Sequence, residues 1–390
     1  MLFKINALLV FGGANIEFFS QLQFYFFVLC ALDQSYLKMG KSDLFAPLLR
    51  WYSIHARQLP WRLSKNPYHV YISEVVFQQT RIEQGIGYYN RIIEKYPDIN
   101  ALAKASEDDF LNIWQGLGYY SRAHNLLKAA RTIVEKYNSI IPSEIKDLES
   151  LPGVGSYTAA AIASIAFNKA VPVMDGNIKR VISRLKCIEY PSDSKLFSNE
   201  VLSLLNRYIV RYNPSDFNQA LMETGALICK PRKPACVECS LRTNCCAYKS
   251  NRTDGFPLKG TELKRKTIYL HYVLVKKNKS EFYLVKRDHK GMWRGLYELP
   301  GIQSEASEAS ANEFIQAGFP GDAIPQIWKP VYSIRHELTH RTLEALVYQI
   351  NYSGIVPDLW LLVDDKNIGN YPLHRLMQKF FVFAKLLKIK

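Results

Sequence analysis

Cysteine is scarce, seven in 390 residues, too few for a disulfide scaffold of this length. No apolar run is clean enough to make a good membrane span. The stretch from Leu8 to Leu32 is rich in Phe, Leu and Val, but Glu17, Gln21 and Gln23 interrupt it. Acidic residues are in deficit, 35 against 50 basic ones, and the formal charge of +15 suits a polyanionic partner better than a neutral one. Internal repeats and low-complexity tracts are lacking, which excludes solenoids and extended disordered tails. What remains is a chain long enough for two domains, each with a core of its own.

The few cysteines are crowded. Cys229, Cys236, Cys239 and Cys245 fall in one short stretch, with Cys246 beside the last, which points to a metal site in a reducing compartment. The window holds a single CxxC and no histidine, unlike most zinc patterns; four nearby thiolates suit an iron–sulfur cluster. Cys246 is off the pattern, and Cys30 and Cys187 are expected to be ordinary thiols. Lys230, Arg232 and Lys233 follow the first of the four, as a solvated charge run or a phosphate contact.

Residues 42–246 carry a helical pattern throughout. Leu44, Leu48, Leu49, Trp51 and Tyr52 form one apolar face, and Ser73 through Tyr89 another. Ser106 with Asp109 predicts an N-cap opening a helix that runs to Gly116. The most informative stretch is Leu151–Arg180, a Gly-turn-Gly hairpin opening a helix, then an apolar run, then Asp175-Gly176-Asn177. Gly153 and Gly155 can take backbone conformations closed to other residues and let a phosphate reach bare N–H groups at a helix N-terminus. Such a hairpin holds a nucleic-acid backbone without reading its sequence. Residues 248–264 are polar and rich in turn formers and are expected to be a linker. Beyond them the texture becomes β, with strands at 268–276, 281–286 and 343–351 and a helix at 305–317, hence an α+β second domain. Residues 1–38 loosely resemble a signal peptide, but export fits badly with a clustered-cysteine site, so an upstream start artefact or dispensable extension is expected.

Hairpin, aspartate and cysteines together resemble the helix-hairpin-helix DNA glycosylases of the endonuclease III and MutY family, which extract a base from the duplex into a pocket between two helical subdomains. The resemblance implies an all-α glycosylase domain at 39–247 whose loop 229–245 binds a [4Fe–4S] cluster. It implies that the Asp175 carboxylate lies near the sugar C1′ and stabilises an oxocarbenium-like transition state. Endonuclease III-type enzymes place a Schiff-base lysine where this chain has Tyr157; tyrosine cannot form an imine, so base removal without strand cutting is implied. Ser73-Glu74-Val75-Val76-Phe77-Gln78-Gln79-Thr80 matches the MutY segment in which the glutamate protonates the departing adenine, a poor leaving group as an anion.

On the same resemblance Arg57, Leu59, Trp61, Arg62, Phe77 and Ile82 wall the adenine pocket. Gln219 bonds the extruded base, and Asn177 positions water or the aspartate. Gln79, Thr80, Leu117, Gly153 and Gly155 contact DNA, while Tyr119 wedges into the duplex and Tyr120 packs in the core. Gly291–Gly301 resembles a Nudix strand and turn, but the acidic Mg²⁺-binding signature is missing after it. A Nudix-like domain at 265–390 that recognises 8-oxoguanine without hydrolysis is implied. Thr339 and His340 stand at the recognition loop, with Leu338 in place of the usual Phe. The expected substrate is duplex DNA with adenine opposite 8-oxoguanine or guanine, handled by a cytoplasmic, nucleoid-associated monomer without membrane attachment.

Overall fold

A computed structural model describes residues 43–260, 266–288, 291–324, 329–338 and 341–386. The 1–38 extension, Cys30, and Thr339 and His340 lie outside the described residues. The helices in chain order are α1 (Ala46–His55), α2 (Pro60–Ser64), α3 (Pro67–Val76), α4 (Ile82–Lys95), α5 (Ile99–Ala103), α6 (Glu107–Trp114), α7 (Ser121–Lys136), α8 (Ile145–Ser150), α9 (Ser156–Phe167), α10 (Gly176–Lys186), α11 (Lys195–Ile209), α12 (Pro214–Leu227) and α13 (Cys246–Lys249). Seven strands follow, β1 (Lys266–Lys276), β2 (Glu281–Lys286), β3 (Tyr297–Glu298), β4 (Gly301–Ser304), β5 (Tyr332–Glu337), β6 (Arg341–Asn351) and β7 (Trp360–Asp364), with α14 (Ala311–Gln316) before β5 and α15 (Arg375–Phe383) at the end. Two compact units emerge. The first joins the described residues up to Gln58 with Asn168–Gly260; the second joins Leu59–Phe167 with the described residues beyond 260.

In the first unit, α10 buries Ile178, Val181, Ile182 and Leu185, a helical i, i+3, i+4, i+7 stripe that must face a core. Phe45, beside α1, is fully buried and packs edge-on against Tyr208 and Phe217, ring centroids 5.0 and 5.2 Å away. α12 meets α10 closely at Gly225, where a Cβ would lie 2.5 Å from the Asn177 Cβ. The segment expected to be a linker is largely part of this unit. Residues 248–260 fold onto it, with Phe256 buried and its carbonyl accepting from Arg184 Nε at 3.1 Å.

In the second unit, α9 is apolar nearly all round, burying Thr158 through Ile165, as a central helix must. Around it Tyr71, Tyr89, Phe110 and Trp114 form the helical core. The apolar face expected from Ser73 to Tyr89 is two helices, not one. α3 stops at Val76 because Gln79 takes a left-handed φ of 56°, which cannot continue a helix. α6 likewise stops at Trp114, two residues short of Gly116, where Gln115 turns extended.

The sheet of this unit runs β3-β2-β1-β6-β5, with β4 added to β1 and β7 to β2. β1 and β6 pair in parallel from Lys266↔Arg341 to Lys276↔Asn351. The helix expected at 305–317 is only α14, since Ser310 and Glu313 form a capping box that fixes its start at Ala311. No described helix is long and apolar enough to cross a membrane.

The hairpin joins α8 to α9, and its two glycines differ. Gly153 has φ +78°, and a Cβ there would sit 2.6 Å from Asn125 Cβ. Gly155 has no positive φ and open space where a Cβ would go, so conformational freedom is not its role; its lack of a side chain leaves room for an approaching group. Gly153→Ala is therefore expected to lose about 1–3 kcal/mol of stability in urea unfolding. Gly155→Ala is expected to unfold like the wild type while weakening duplex binding in a fluorescence titration.

Candidate active site

Glu74 lies on α3, whose start is set by Asn66 accepting from Tyr68 N at 2.9 Å, with Pro67 at the first helical position. Almost the whole of α3 is buried, and Glu74 keeps only 8% exposure. Tyr157, at the start of α9, donates its hydroxyl to Glu74 Oε2 at 3.1 Å. The next residue, Thr158, accepts from Gln78 Nε2 at 2.9 Å. The hairpin helix thus holds the Ser73–Thr80 segment at two points.

Arg122 on α7, which sequence reasoning passed over, closes α3. Its guanidinium donates to the carbonyls of Val75 (3.0 Å), Val76 (2.8 Å) and Gln78 (2.7 Å), and to that of Gly118 (3.1 Å). It also faces the rings of Trp114 and Tyr119. Burial pulls its pKa down to about 10, so it stays a cation at neutral pH. One side chain caps the helix of Glu74 and braces the loop of Tyr119, which stands 48% exposed at φ 49° beside buried Tyr120. No sequence signal marks a lone arginine for this task. Arg122→Met leaves several buried carbonyls without a donor and is expected to cost about 2–4 kcal/mol in thermal unfolding.

Leu59, Trp61, Phe77 and Ile82 come together in one cluster, Trp61 lying 4.7 Å from the Phe77 ring and 4.9 Å from Tyr89. Arg57 and Gln219 belong to the first unit instead. Arg57 donates to buried Glu223 from Nε and Nη2 at 2.8 Å each. Gln219 on α12 is buried and donates to Ser215 Oγ at 3.0 Å. Arg62 is partly buried on α2, and Leu117 packs partly buried against the helical core.

The second carboxylate, Asp175, is the N-cap of α10. Its Oδ1 accepts from Ile178 N at 2.7 Å and its Oδ2 from Asn177 Nδ2 at 2.8 Å. Burial raises its pKa above the ordinary carboxylate value, with these donors and the Arg180 cation pulling the other way. Asn177 Oδ1 in turn accepts from Arg180 Nη2 at 2.8 Å, and Arg180 also donates to the carbonyls of Gly225 (2.8 Å) and Cys229 (2.7 Å). A chain of hydrogen bonds therefore leads from Asp175 to the first clustered cysteine. Arg180 was not singled out from the sequence, though its i+3 spacing from Asn177 was visible. Lys179 donates to the Ser192 carbonyl at 3.2 Å.

Cys229, Cys236, Cys239 and Cys245 line one small cavity with Arg184, Ile228, Pro234, Arg242 and Tyr248. Arg184 Nη1 lies 3.4 Å from Cys229 Sγ, and Arg184 also donates to the Lys230 and Pro231 carbonyls. Burial raises the thiols of Cys236, Cys245 and Cys239, the last to about 11. All four thiols face one common space. Lys230, Arg232 and Lys233 are exposed on the loop. Cys187 is not the ordinary thiol expected from sequence: it is disulfide-bonded to Cys246, because the end of α10 packs against α13 and brings the two Cα atoms to 5.6 Å.

In the sheet domain the Gly291–Gly301 segment serves packing. Trp293 stacks on buried His374 at 3.8 Å, and Glu298 accepts from Arg287 (2.6 Å), Tyr272 (2.8 Å) and His374 (3.2 Å). Leu338 packs against the same core.

The chain matches two families, the HhH-GPD superfamily base excision DNA repair proteins over residues 72–206 and the NUDIX domain over residues 271–382. The adenine DNA glycosylase of Buchnera aphidicola subsp. Schizaphis graminum (strain Sg) is 33% identical over 311 residues, 78% of this chain and 87% of that protein. That of Buchnera aphidicola subsp. Baizongia pistaciae (strain Bp) is 37% identical, covering 66% of this chain and 73% of its own. A solved structure of a thermostable thymine-DNA glycosylase is 29% identical with TM-score 0.48, covering 53% of this chain and 94% of that one. The class is a helix-hairpin-helix base-excision repair enzyme with a Nudix-like C-terminal domain. Within it, the chain belongs to the MutY-type adenine DNA glycosylase family.

Proposed function

We propose that the chain removes adenine opposite 8-oxoguanine or guanine in duplex DNA by hydrolysing the N-glycosidic bond, without cutting the strand. The observation that carries this reading is the Tyr157 hydroxyl on Glu74 at 3.1 Å: a carboxyl acid is held by the very hairpin residue that would have to be an amine for lyase chemistry. Glu74, in its largely buried setting, protonates a ring nitrogen of the departing adenine so that the base leaves neutral. Asp175, ionised and fixed by Ile178 N and Asn177, stabilises the positive charge that grows on the sugar as the bond breaks. Asn177 acts on the aspartate, which it touches, and Arg180 fixes Asn177.

The exposed hairpin glycines and the cations Lys230, Arg232 and Lys233 grip phosphates, and Tyr119 fills the gap beside the extruded base. Cys229, Cys236, Cys239 and Cys245 would hold a [4Fe–4S] cluster, whose iron ions would compensate four partly buried thiolates and lock the loop. Four thiols around one cavity with no histidine in its lining suit an iron–sulfur cluster. Thr339 and His340, on the strength of their family position, contact the 8-oxoguanine.

Single-turnover release of adenine from an A:8-oxoguanine duplex tests the reading, with borohydride added in a parallel reaction. Free adenine with an intact strand and no trapped protein–DNA adduct is expected. A borohydride-stable adduct would instead indicate a lyase, and tight binding with no adenine release an idle lesion marker.

A further inference from the structure

We propose that Cys187 and Cys246 form a redox-responsive staple that closes the cysteine loop and withholds Cys246 from the ligand set. The proposal rests on the cluster reading for its consequence, not for the bond itself. α10 grips the loop at both of its flanks. Arg184 holds the first, through Cys229 Sγ and the carbonyls of Lys230 and Pro231. Cys187, three residues further on, holds the last, through a disulfide to the residue that follows Cys245.

Local backbone supports this placement. Cys187 ends α10 in a left-handed conformation, φ 51° and ψ 50°, which turns the chain back at the helix terminus. Cys246 opens α13, with Cys245 as its N-cap, and Cys245 Sγ lies 3.5 Å from the Arg184 carbonyl. Two adjacent cysteines thus face different partners, Cys245 the cavity and Cys246 the helix end. Both halves of the disulfide are only partly buried, within reach of small thiols.

In a compartment kept reduced by thiols, an accessible disulfide is more often a sensor than a scaffold. With a low-molecular-weight disulfide RSSR as oxidant, the Cys187 sulfur attacks one sulfur of RSSR and releases RSH. The Cys246 sulfur then displaces the second RSH. In sum, two thiols and RSSR give the Cys187–Cys246 bond and two RSH, the two electrons passing to RSSR. Closed, the staple ties down the flank of the fourth ligand. Open, it frees that flank and leaves a fifth thiol beside Cys245 that can exchange for it.

The test uses the full chain as purified, equilibrated in glutathione buffers of rising oxidised fraction. Peptide mapping without reduction is expected to show a Cys187–Cys246 linked peptide that grows with that fraction. Iron release to a ferrous chelator is expected to be about tenfold faster after reduction, as local opening of a flank allows. Cys187→Ser, which leaves Cys246 free to compete, should lose iron faster than Cys246→Ser; reduction of the wild type gives the same comparison if either variant folds poorly. Unlinked peptides in oxidised glutathione overturn the staple, as does iron release indifferent to reduction. A linked peptide in a chain that holds no iron upholds the bond and overturns the cluster reading instead.

Discussion

Asp175→Asn will release adenine at least about 100- to 1,000-fold more slowly than the wild type, in a protein whose Tm at pH 7 is no lower. The two halves of this result have one cause. Asp175 is partly buried at the N-cap of α10, and the loss of solvent there raises its pKa in the folded state. A folded pKa above the unfolded one means that the native protein holds this proton more tightly. Its contribution to stability is therefore fully present below the unfolded value of about 3.9 and is lost as pH rises through the folded pKa. At neutral pH the ionised group is a standing cost, which asparagine removes while remaining as good an N-cap. On the proposed mechanism, activity depends on the same ionisation with the opposite sign. The rate will fall as pH drops through the raised pKa, so the acid limb of the profile begins above the ordinary carboxylate range. Single-turnover rates and scanning calorimetry on the two proteins check both halves, and a variant that is unfolded at pH 7 would count against the account.

Glu74→Gln is expected to slow release by about 10²–10⁴-fold through a different failure. Glutamine keeps the volume of the buried side chain and an oxygen for the Tyr157 hydroxyl, so α3 and its cap by Arg122 should survive. What it lacks is a proton to give. A duplex carrying a purine alkylated at a ring nitrogen already has the positive charge that protonation would supply, and with it the gap between variant and wild type should shrink to about tenfold or less. An equal defect on both substrates would mean that Glu74 positions the base rather than protonating it. Together the two substitutions separate leaving-group activation from stabilisation of the sugar cation.

Much of the candidate site was legible in the sequence, for specific reasons. Glu74, Asp175 and the four cysteines sit in short contiguous motifs, and such motifs are what a resemblance to a family can be read from. The hairpin glycines were visible too, but not their difference: Gly153 is constrained by Asn125, which lies elsewhere in the chain. Arg122 and Arg180 were missed because most of their partners are backbone carbonyls, and any residue offers a carbonyl. The disulfide was missed because Cys187 and Cys246 are 59 positions apart and only the packing of α10 on α13 joins them. The partner of Arg57 was not legible either, because Glu223 lies 166 residues away. The helix at 305–317 was overextended because its acidic, alanine-rich start has helical propensity, which the Ser310 cap overrides.

The first unit is discontinuous: the chain leaves it after Gln58 and returns only at Asn168. On the ribosome this imposes an order of assembly. Phe45 emerges early but must wait for Tyr208 and Phe217 before it can be buried, while the helices from Leu59 to Phe167 are already available to pack among themselves. Vectorial synthesis favours the segment that is complete first. The segment of Asp175 and the cysteine loop is thus the last helical part to mature, and a truncated or stalled chain would carry the packed helix of Glu74 without the hydrogen-bonded Asp175–Asn177–Arg180 chain.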